Sequence, residues 1–169
     1  MSNIPYTQED LQDHHGIAAI IYDDKRQVLV QEHIKYGFWT IPVGKVRSGQ
    51  CVQEALSEEL LEECNITLIN YREISCRTFH YHRQGKEVAV ISHLFEVEEW
   101  SGILRNNEPH KHRRMLFLPL GRIEGLYPLS DLTELFLSLA LGRELPAEVK
   151  GRCSQVKALE PRPITSGEA

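Results

Sequence analysis

The sequence is poor in the features that mark membrane-spanning, secreted or nucleic-acid-coating proteins. No segment approaches the roughly 18 consecutive apolar residues that read as a transmembrane helix. The opening Met1-Ser2-Asn3-Ile4-Pro5-Tyr6 has no basic stretch followed by an apolar run, so no secretory leader is expected. Cysteine is sparse: Cys51, Cys64, Cys76 and Cys153 show no CxxC spacing, and free thiols in a reducing cytoplasm are the simplest reading. Positive charge is also short, with 19 Lys and Arg against 24 Asp and Glu and a net charge of −5. That balance argues against general nucleic-acid binding. It leaves open a nucleotide substrate whose phosphates are held through metal ions. There is no internal repeat and no low-complexity block, and 169 residues at 41% hydrophobic fit one globular domain.

One local absence is more informative than the global ones. No Lys or Arg occurs between Ser48 and Tyr71, yet Val52–Glu63 carries five carboxylates on a helix-like segment entered through Pro42-Val43-Gly44-Lys45. On a helix Glu58/Glu62 and Glu59/Glu63 stand at i,i+4, and Glu59/Glu62 at i,i+3. Like charges at those spacings repel by about 0.2–0.5 kcal/mol per pair. A solvated helix normally interleaves Lys or Arg, so the missing positive charge is read as a bound cation. Clustered carboxylate oxygens suit Mg²⁺, Mn²⁺ or Ca²⁺ better than a soft metal.

Around this segment the pattern is mostly strands. Gly16–Tyr22 reads as a buried strand, Asp23–Arg26 as a turn, and Gln27–Glu32 as an alternating hairpin partner. Trp39–Pro42 is a short extended piece before a glycine-containing loop at Val43–Gln50. The acidic helix ends near Cys64-Asn65, since Asn accepts the left-handed position that stops helices. Glu73–His82 and Glu87–Glu96 are strands joined by a hairpin-length link, and Arg114–Leu118 is another. Ser130 is a plausible N-cap for a helix Asp131–Leu141 stopped by Gly142, with Leu132, Leu135, Phe136 and Leu139 on one face. Residues 1–13 read as a polar lead-in to a domain over 1–145, and residues 146–169 as a polar tail expected to be disordered. Such a pattern predicts an α/β fold, a mixed sheet with helices packed on it.

From Gly44 to Ile66 the chain resembles the Nudix hydrolase family, whose motif is G-x5-E-x7-R-E-U-x-E-E-x-G-U with U aliphatic. Gly44, Glu59, Leu60, Glu62, Glu63 and Ile66 match; Gln50, Glu58 and Asn65 stand where the family has Glu, Arg and Gly. The flanks Phe38–Val46, Glu108–His112 and Phe117–Leu120 extend the similarity over roughly residues 15–145. The resemblance implies an α/β/α sandwich around a mixed sheet. It also implies hydrolysis of a nucleoside diphosphate linked to another moiety, with Mg²⁺ or Mn²⁺ as cofactor and a nucleotide derivative as substrate. By resemblance Glu59 and Glu63 are the principal metal ligands, Glu62 shares or supports one ion, the Val43 carbonyl is a further ligand, and Gly44 permits the tight loop that aims it. Glu59 or Glu108 is the expected base, with His110 next after Glu108, so the catalytic set is Glu59, Glu62 and Glu108.

Lys45 and Arg47 are expected to meet phosphate or else to balance the charge of the acidic helix. Trp39, Phe79, Tyr81 and Phe117 could stack on a base or else pack in the core, and Trp39 is carried as the substrate-binding aromatic. Many relatives are dimers, so a homodimer belongs to the expectation. Because Glu58 replaces an arginine beside carboxylates, three arrangements stay open. A cation such as Lys45, Arg47 or Arg72 fills the gap, an additional metal does, or a protonated Glu58 bonds Gln50. The paired change also motivates a rival reading, a nucleotide-binding or regulatory module of the same fold with impaired catalysis. A third reading is a Zn²⁺ protein built on the pairs His80/His82 and His110/His112, each two apart on one strand face.

Overall fold

The computed structural model describes residues 6–153. Among these residues seven strands fall into two sheets. Strands β1 (His14–Ile21), β4 (Val43–Lys45), β5 (Thr67–Arg83) and β6 (Lys86–Ser101) form a four-stranded sheet of order β4-β1-β6-β5. It is mixed, because β1 runs parallel to β6 while its other pairs are antiparallel. Strands β2 (Val28–His33), β3 (Phe38–Thr40) and β7 (His112–Leu118) form an antiparallel sheet of order β3-β2-β7.

Strand β1 is apolar without alternation because both of its faces are covered. Ile17, Ala19 and Ile21 pack in the cluster that includes Leu56 and Leu60 of helix α1 (Val52–Cys64). Ala18 and Ile20 point the other way, into a cluster with Leu135, Phe136 and Leu137 of the helix Asp131–Leu141. Helices thus lie on both faces, and the α/β/α sandwich with a mixed sheet is what the chain builds. Among the described residues no helix is long and apolar enough to cross a membrane.

Local signals set the boundaries well. The β5–β6 hairpin turns at Gln84 and Gly85, both with positive φ (52° and 74°), the pattern of a type I′ turn that matches strand twist. Besides α1 there are three helices: α2 (Leu120–Ile123), α3 (Asp131–Leu141) and α4 (Ala147–Arg152). The Ser130 hydroxyl accepts from the Thr133 amide at the start of α3, and Gly142 closes it at φ 64°.

Three expectations change. Strand β2 is not the hairpin partner of β1: only a single bridge, Tyr22–Val28, joins them. Both edges of β1 are taken by β4 and β6, so β2 pairs with β3 and β7 instead. Val28–Gln31 are then buried in succession rather than alternating. On α3 it is Leu137, not Leu139, that is buried, because the helix also packs its Thr133 side inward. Ala147–Arg152, inside the stretch expected to be a polar tail, is helical and buries Val149, and Cys153 bridges to Phe79 of β5. The rest of that tail, residues 154–169, lies outside the described residues.

Candidate active site

Helix α1 is fixed at both ends by unusual residues. At its N-terminus Cys51 Sγ accepts from the Glu54 amide at 3.4 Å while Glu54 Oε1 accepts from the Cys51 amide at 3.3 Å, a capping box built with a thiol. At its C-terminus Asn65 adopts φ 61°, ψ 32°, the left-handed cap expected of it. The last carbonyls are then met from the loop after β6. The Arg105 amide donates to the Cys64 carbonyl at 3.0 Å, and the Asn107 amide to the Glu63 carbonyl at 3.1 Å. That loop carries Glu108, so Glu63 and Glu108 are positioned by one set of bonds.

With Leu56, Leu60 and Cys64 docked on the sheet, the helix turns Glu59 and Glu63 toward β4 and β2 and leaves Glu62 exposed. Glu59 lies directly over Gly44: a Cβ there would stand 2.5 Å from Glu59 Cγ and 2.9 Å from its Oε2. The glycine is needed for this close approach, not for a special φ, since Gly44 is ordinary strand. Gly44→Ala is expected to displace the Glu59 carboxylate and lower activity roughly 10–100-fold, the range seen when the shell that orients a metal site is disturbed. Unchanged metal dependence and turnover in that variant would contradict the placement.

The carboxylates carry more negative charge than their surroundings offset. Burial, and then the neighbouring Glu62, pushes Glu59 up to about 7, with Lys111 and Arg47 opposing. Burial and the nearby Glu59 and Glu108 push Glu63 up to about 8, against Lys111 and a hydrogen bond from Gln31. Glu63 is only 5% exposed, and its Oε2 is buried with no hydrogen-bond partner. An unpartnered buried carboxylate oxygen is costly unless a cation meets it. The donors are all hard oxygens, which fit a divalent ion of the Mg²⁺ class. Among the described residues no three His, Cys, Asp or Glu groups are yet gathered at coordinating distance of one point.

Lys111 is the built-in counter-charge that acts on both Glu59 and Glu63. Its Nζ sits 2.7 Å from Glu108 Oε2, and that hydrogen bond, aided by Glu63 and Glu59, raises the lysine. Neither Lys111 nor Gln31 was expected at the site. A glutamine inside an otherwise apolar strand, Val28-Leu29-Val30-Gln31, was the available signal for the second.

The site opens into a cavity of about 1270 Å³ lined by Val43, Gly44, Lys45, Arg47, Glu59, Glu62, Glu63 and Lys111 on this side. Lys45 is held there by Asp10 at 2.8 Å and Thr7 at 3.0 Å, so the segment before β1 forms part of the wall. Arg47 Nη1 pairs with Glu58 Oε1 at 3.2 Å. An aromatic corner follows, where Tyr36 and Phe38 stack at 5.3 Å beside His33. The far end holds Tyr81, whose hydroxyl donates to Asp131, itself gripped by Arg152 at 2.8 Å through both carboxylate oxygens.

Not every expected residue arrives. Trp39 does not line the cavity: it is 8% exposed in the core, with the Arg114 guanidinium 4.8 Å from its ring centre. Its strand, β3, turns it away because Trp39 pairs with Glu32 and bridges Leu129. Glu108 sits beside Lys111, behind the lining. His80, His82 and His110 reach the cavity, whereas His112 is buried and burial, then His33, lowers it to about 4. The His110/His112 pair is therefore split between cavity and core, while His80 and His82 share the cavity wall. Cys51 is exposed, Cys76 half-buried, and Cys64 and Cys153 are buried.

Over residues 12–135 the chain matches the family described as the NUDIX domain. Among solved structures it is similar to the MutT NUDIX hydrolase of Burkholderia pseudomallei, at 24% identity and TM-score 0.63, covering 75% of this chain and 97% of that one. It is similar to a C. elegans Ap4A hydrolase in a binary complex, at 20% identity and TM-score 0.56, over 76% and 98% of the two chains. A third likeness is the NUDIX domain of Shewanella oneidensis NrtR complexed with ADP ribose, at 12% identity and TM-score 0.59, over 81% and 92%. No curated protein sequence matches the chain.

Proposed function

This chain belongs to the NUDIX family of pyrophosphohydrolases, and from that membership we propose that it hydrolyses a phosphoanhydride bond in a small nucleoside diphosphate derivative, using Mg²⁺ or Mn²⁺. The observation that carries the reading is the buried, unpartnered Oε2 of Glu63 beside Glu59, in a wall shared with the cavity. Glu59, Glu63 and the Val43 carbonyl would hold the ion, with Glu62 supporting from the exposed side of α1. Bound there, a divalent cation supplies charge neutralisation for the phosphates and a more acidic water.

The chain's own groups do the rest. Water attacks phosphorus, a new P–O bond forms, the bridging P–O bond breaks, and the water proton passes to a carboxylate. That acceptor is Glu59, which lines the cavity, or Glu108, held by Lys111 at 2.7 Å just behind the lining. Lys45 and Lys111 border the cavity where phosphate oxygens would lie, and the Tyr36–Phe38 corner offers a face for a planar base. The cavity and the nucleotide-derivative relatives support this substrate class, and sparse cysteines without CxxC spacing fit a reducing compartment.

The test is a substrate panel: nucleoside triphosphates, ADP-ribose, nucleotide sugars and dinucleoside polyphosphates, each assayed with Mg²⁺ and with Mn²⁺. Turnover is expected only with metal, and it should disappear in Glu59→Gln. Tight nucleotide binding with no metal-dependent turnover anywhere in the panel would replace the enzyme by a binding module.

A further inference from the structure

The loop between β4 and α1 is tied to the helix by a closed ring of side chains. The Arg47 amide donates to Gln50 Oε1 at 3.1 Å. Gln50 Nε2 donates to Glu58 Oε2 at 3.2 Å. Arg47 Nη1 meets the other oxygen, Glu58 Oε1, at 3.2 Å, and the Gln50 amide returns to the Arg47 carbonyl at 3.0 Å. Every polar atom of the Gln50 amide group that can face inward is used, one end on each partner. A carboxylate at position 50 would set two anions 3.2 Å apart at that contact, so Gln50 and Glu58 are a matched pair.

The ring's position matters more than its strength. Its loop end lies two residues past Lys45, the last residue of the strand that carries Val43 and Gly44. Its helix end, Glu58, adjoins Glu59. Without Arg47, Glu58 would stand as an additional bare anion at i,i+4 from Glu62 and next to Glu59. We propose that Arg47 is a positioning residue of the site: it neutralises Glu58 and latches the β4–α1 loop to the helix, so that the Val43–Gly44 edge and Glu59 hold a fixed spacing. Of the cations the sequence offered for Glu58, Arg47 is the one that reaches it, alongside the Gln50 bond. Lys45 is engaged with Asp10, and Arg72 pairs with Glu96 and Glu98.

The side chains of Arg47 and Glu58 are 61% and 36% exposed, and exposed pairs contribute little to global stability. A stability role and a positioning role therefore separate in experiment. This inference rests on the proposed hydrolase reading, so wild-type protein is assayed first. Arg47→Ala is expected to melt within a few degrees of wild type by circular dichroism. It should weaken Mn²⁺ binding, read by electron paramagnetic resonance without substrate, about tenfold. Its kcat should fall and its KM for the nucleotide should change less than twofold. Arg47→Glu should be worse, and the reciprocal swap Arg47→Glu with Glu58→Arg should recover Mn²⁺ affinity to within about threefold of wild type.

A raised KM with unchanged Mn²⁺ affinity would make Arg47 a phosphate contact and overturn the proposal. So would failure of the swap to recover what Arg47→Glu loses. Wild-type protein that neither binds Mn²⁺ nor turns over would remove the hydrolase reading and this inference together. Wild-type turnover with an unaffected Arg47→Ala would remove only the inference.

Discussion

Glu63→Gln is expected to lower metal-dependent phosphoanhydride hydrolysis about a thousandfold, roughly 4 kcal/mol of transition-state stabilisation, without lowering the melting temperature. The two halves of that expectation come from the same observation. Glu63 is 5% exposed, and its Oε2 has no partner in the protein. Glutamine keeps the volume and the Gln31 contact but removes the charge that would hold the ion. It also removes a buried carboxylate pressed by Glu59 and Glu108, so the metal-free fold should gain stability. Glu62→Gln, on the exposed side of the helix, should cost about tenfold. Residual Glu63→Gln activity within tenfold of wild type, at saturating Mg²⁺, would show that this carboxylate is not a principal ligand.

The second large effect is a coupling of pH, metal and stability. Both Glu59, at about 7, and Glu63, at about 8, are raised from an ordinary value of 4.5. A raised carboxylate contributes stability that is fully present below 4.5 and is lost as pH climbs through 7 and 8. Below about pH 6.5 the lowered His112 works in the opposite direction, so metal-free protein should lose melting temperature chiefly between about pH 6.5 and 8.5. His93, raised to about 9 through Cys76 and Glu73 against its burial, acts in the same direction. A divalent ion binds the ionised form and reverses the trend. The rise in melting temperature on adding Mg²⁺ should be small at pH 5.5 and reach on the order of 5–10 °C by pH 8, given about 2–4 °C per kcal/mol for a chain of this size. Differential scanning fluorimetry across that range reads it directly. In Glu59→Gln/Glu63→Gln the increment should vanish at every pH, while the His93 contribution persists; an increment that survives the double change would place the ion elsewhere.

What could be read from the sequence followed the range of the interaction concerned. Helix α1, its Asn65 stop, the Ser130 cap and the β5–β6 turn are set by residues within one turn of each other, and they stand where their local signals put them. The pairing of β2 depends on which strand edges remain open after β4 and β6 flank β1, which no local pattern carries. Whether Trp39 met substrate or core stayed open for a related reason: an aromatic on a three-residue strand has no periodicity to say which face it takes. Glu58 marked a missing cation correctly, but its supplier depended on how a loop folds back eleven residues earlier. Lys111 gave no signal at all, because an isolated lysine in a polar loop resembles every other one.

The bonds from Arg105 and Asn107 to the last carbonyls of α1 also set an order of events. The C-terminal end of helix α1 lacks these partners until the long β5–β6 hairpin has closed and brought residues 105–107 back to it. Contacts so distant in sequence are the late ones in folding. Glu63 and Glu108 thus meet only when the hairpin is complete. A nascent or partly unfolded chain would carry the acidic helix without the second wall of the site, and tight ion binding would report that the whole domain has finished folding.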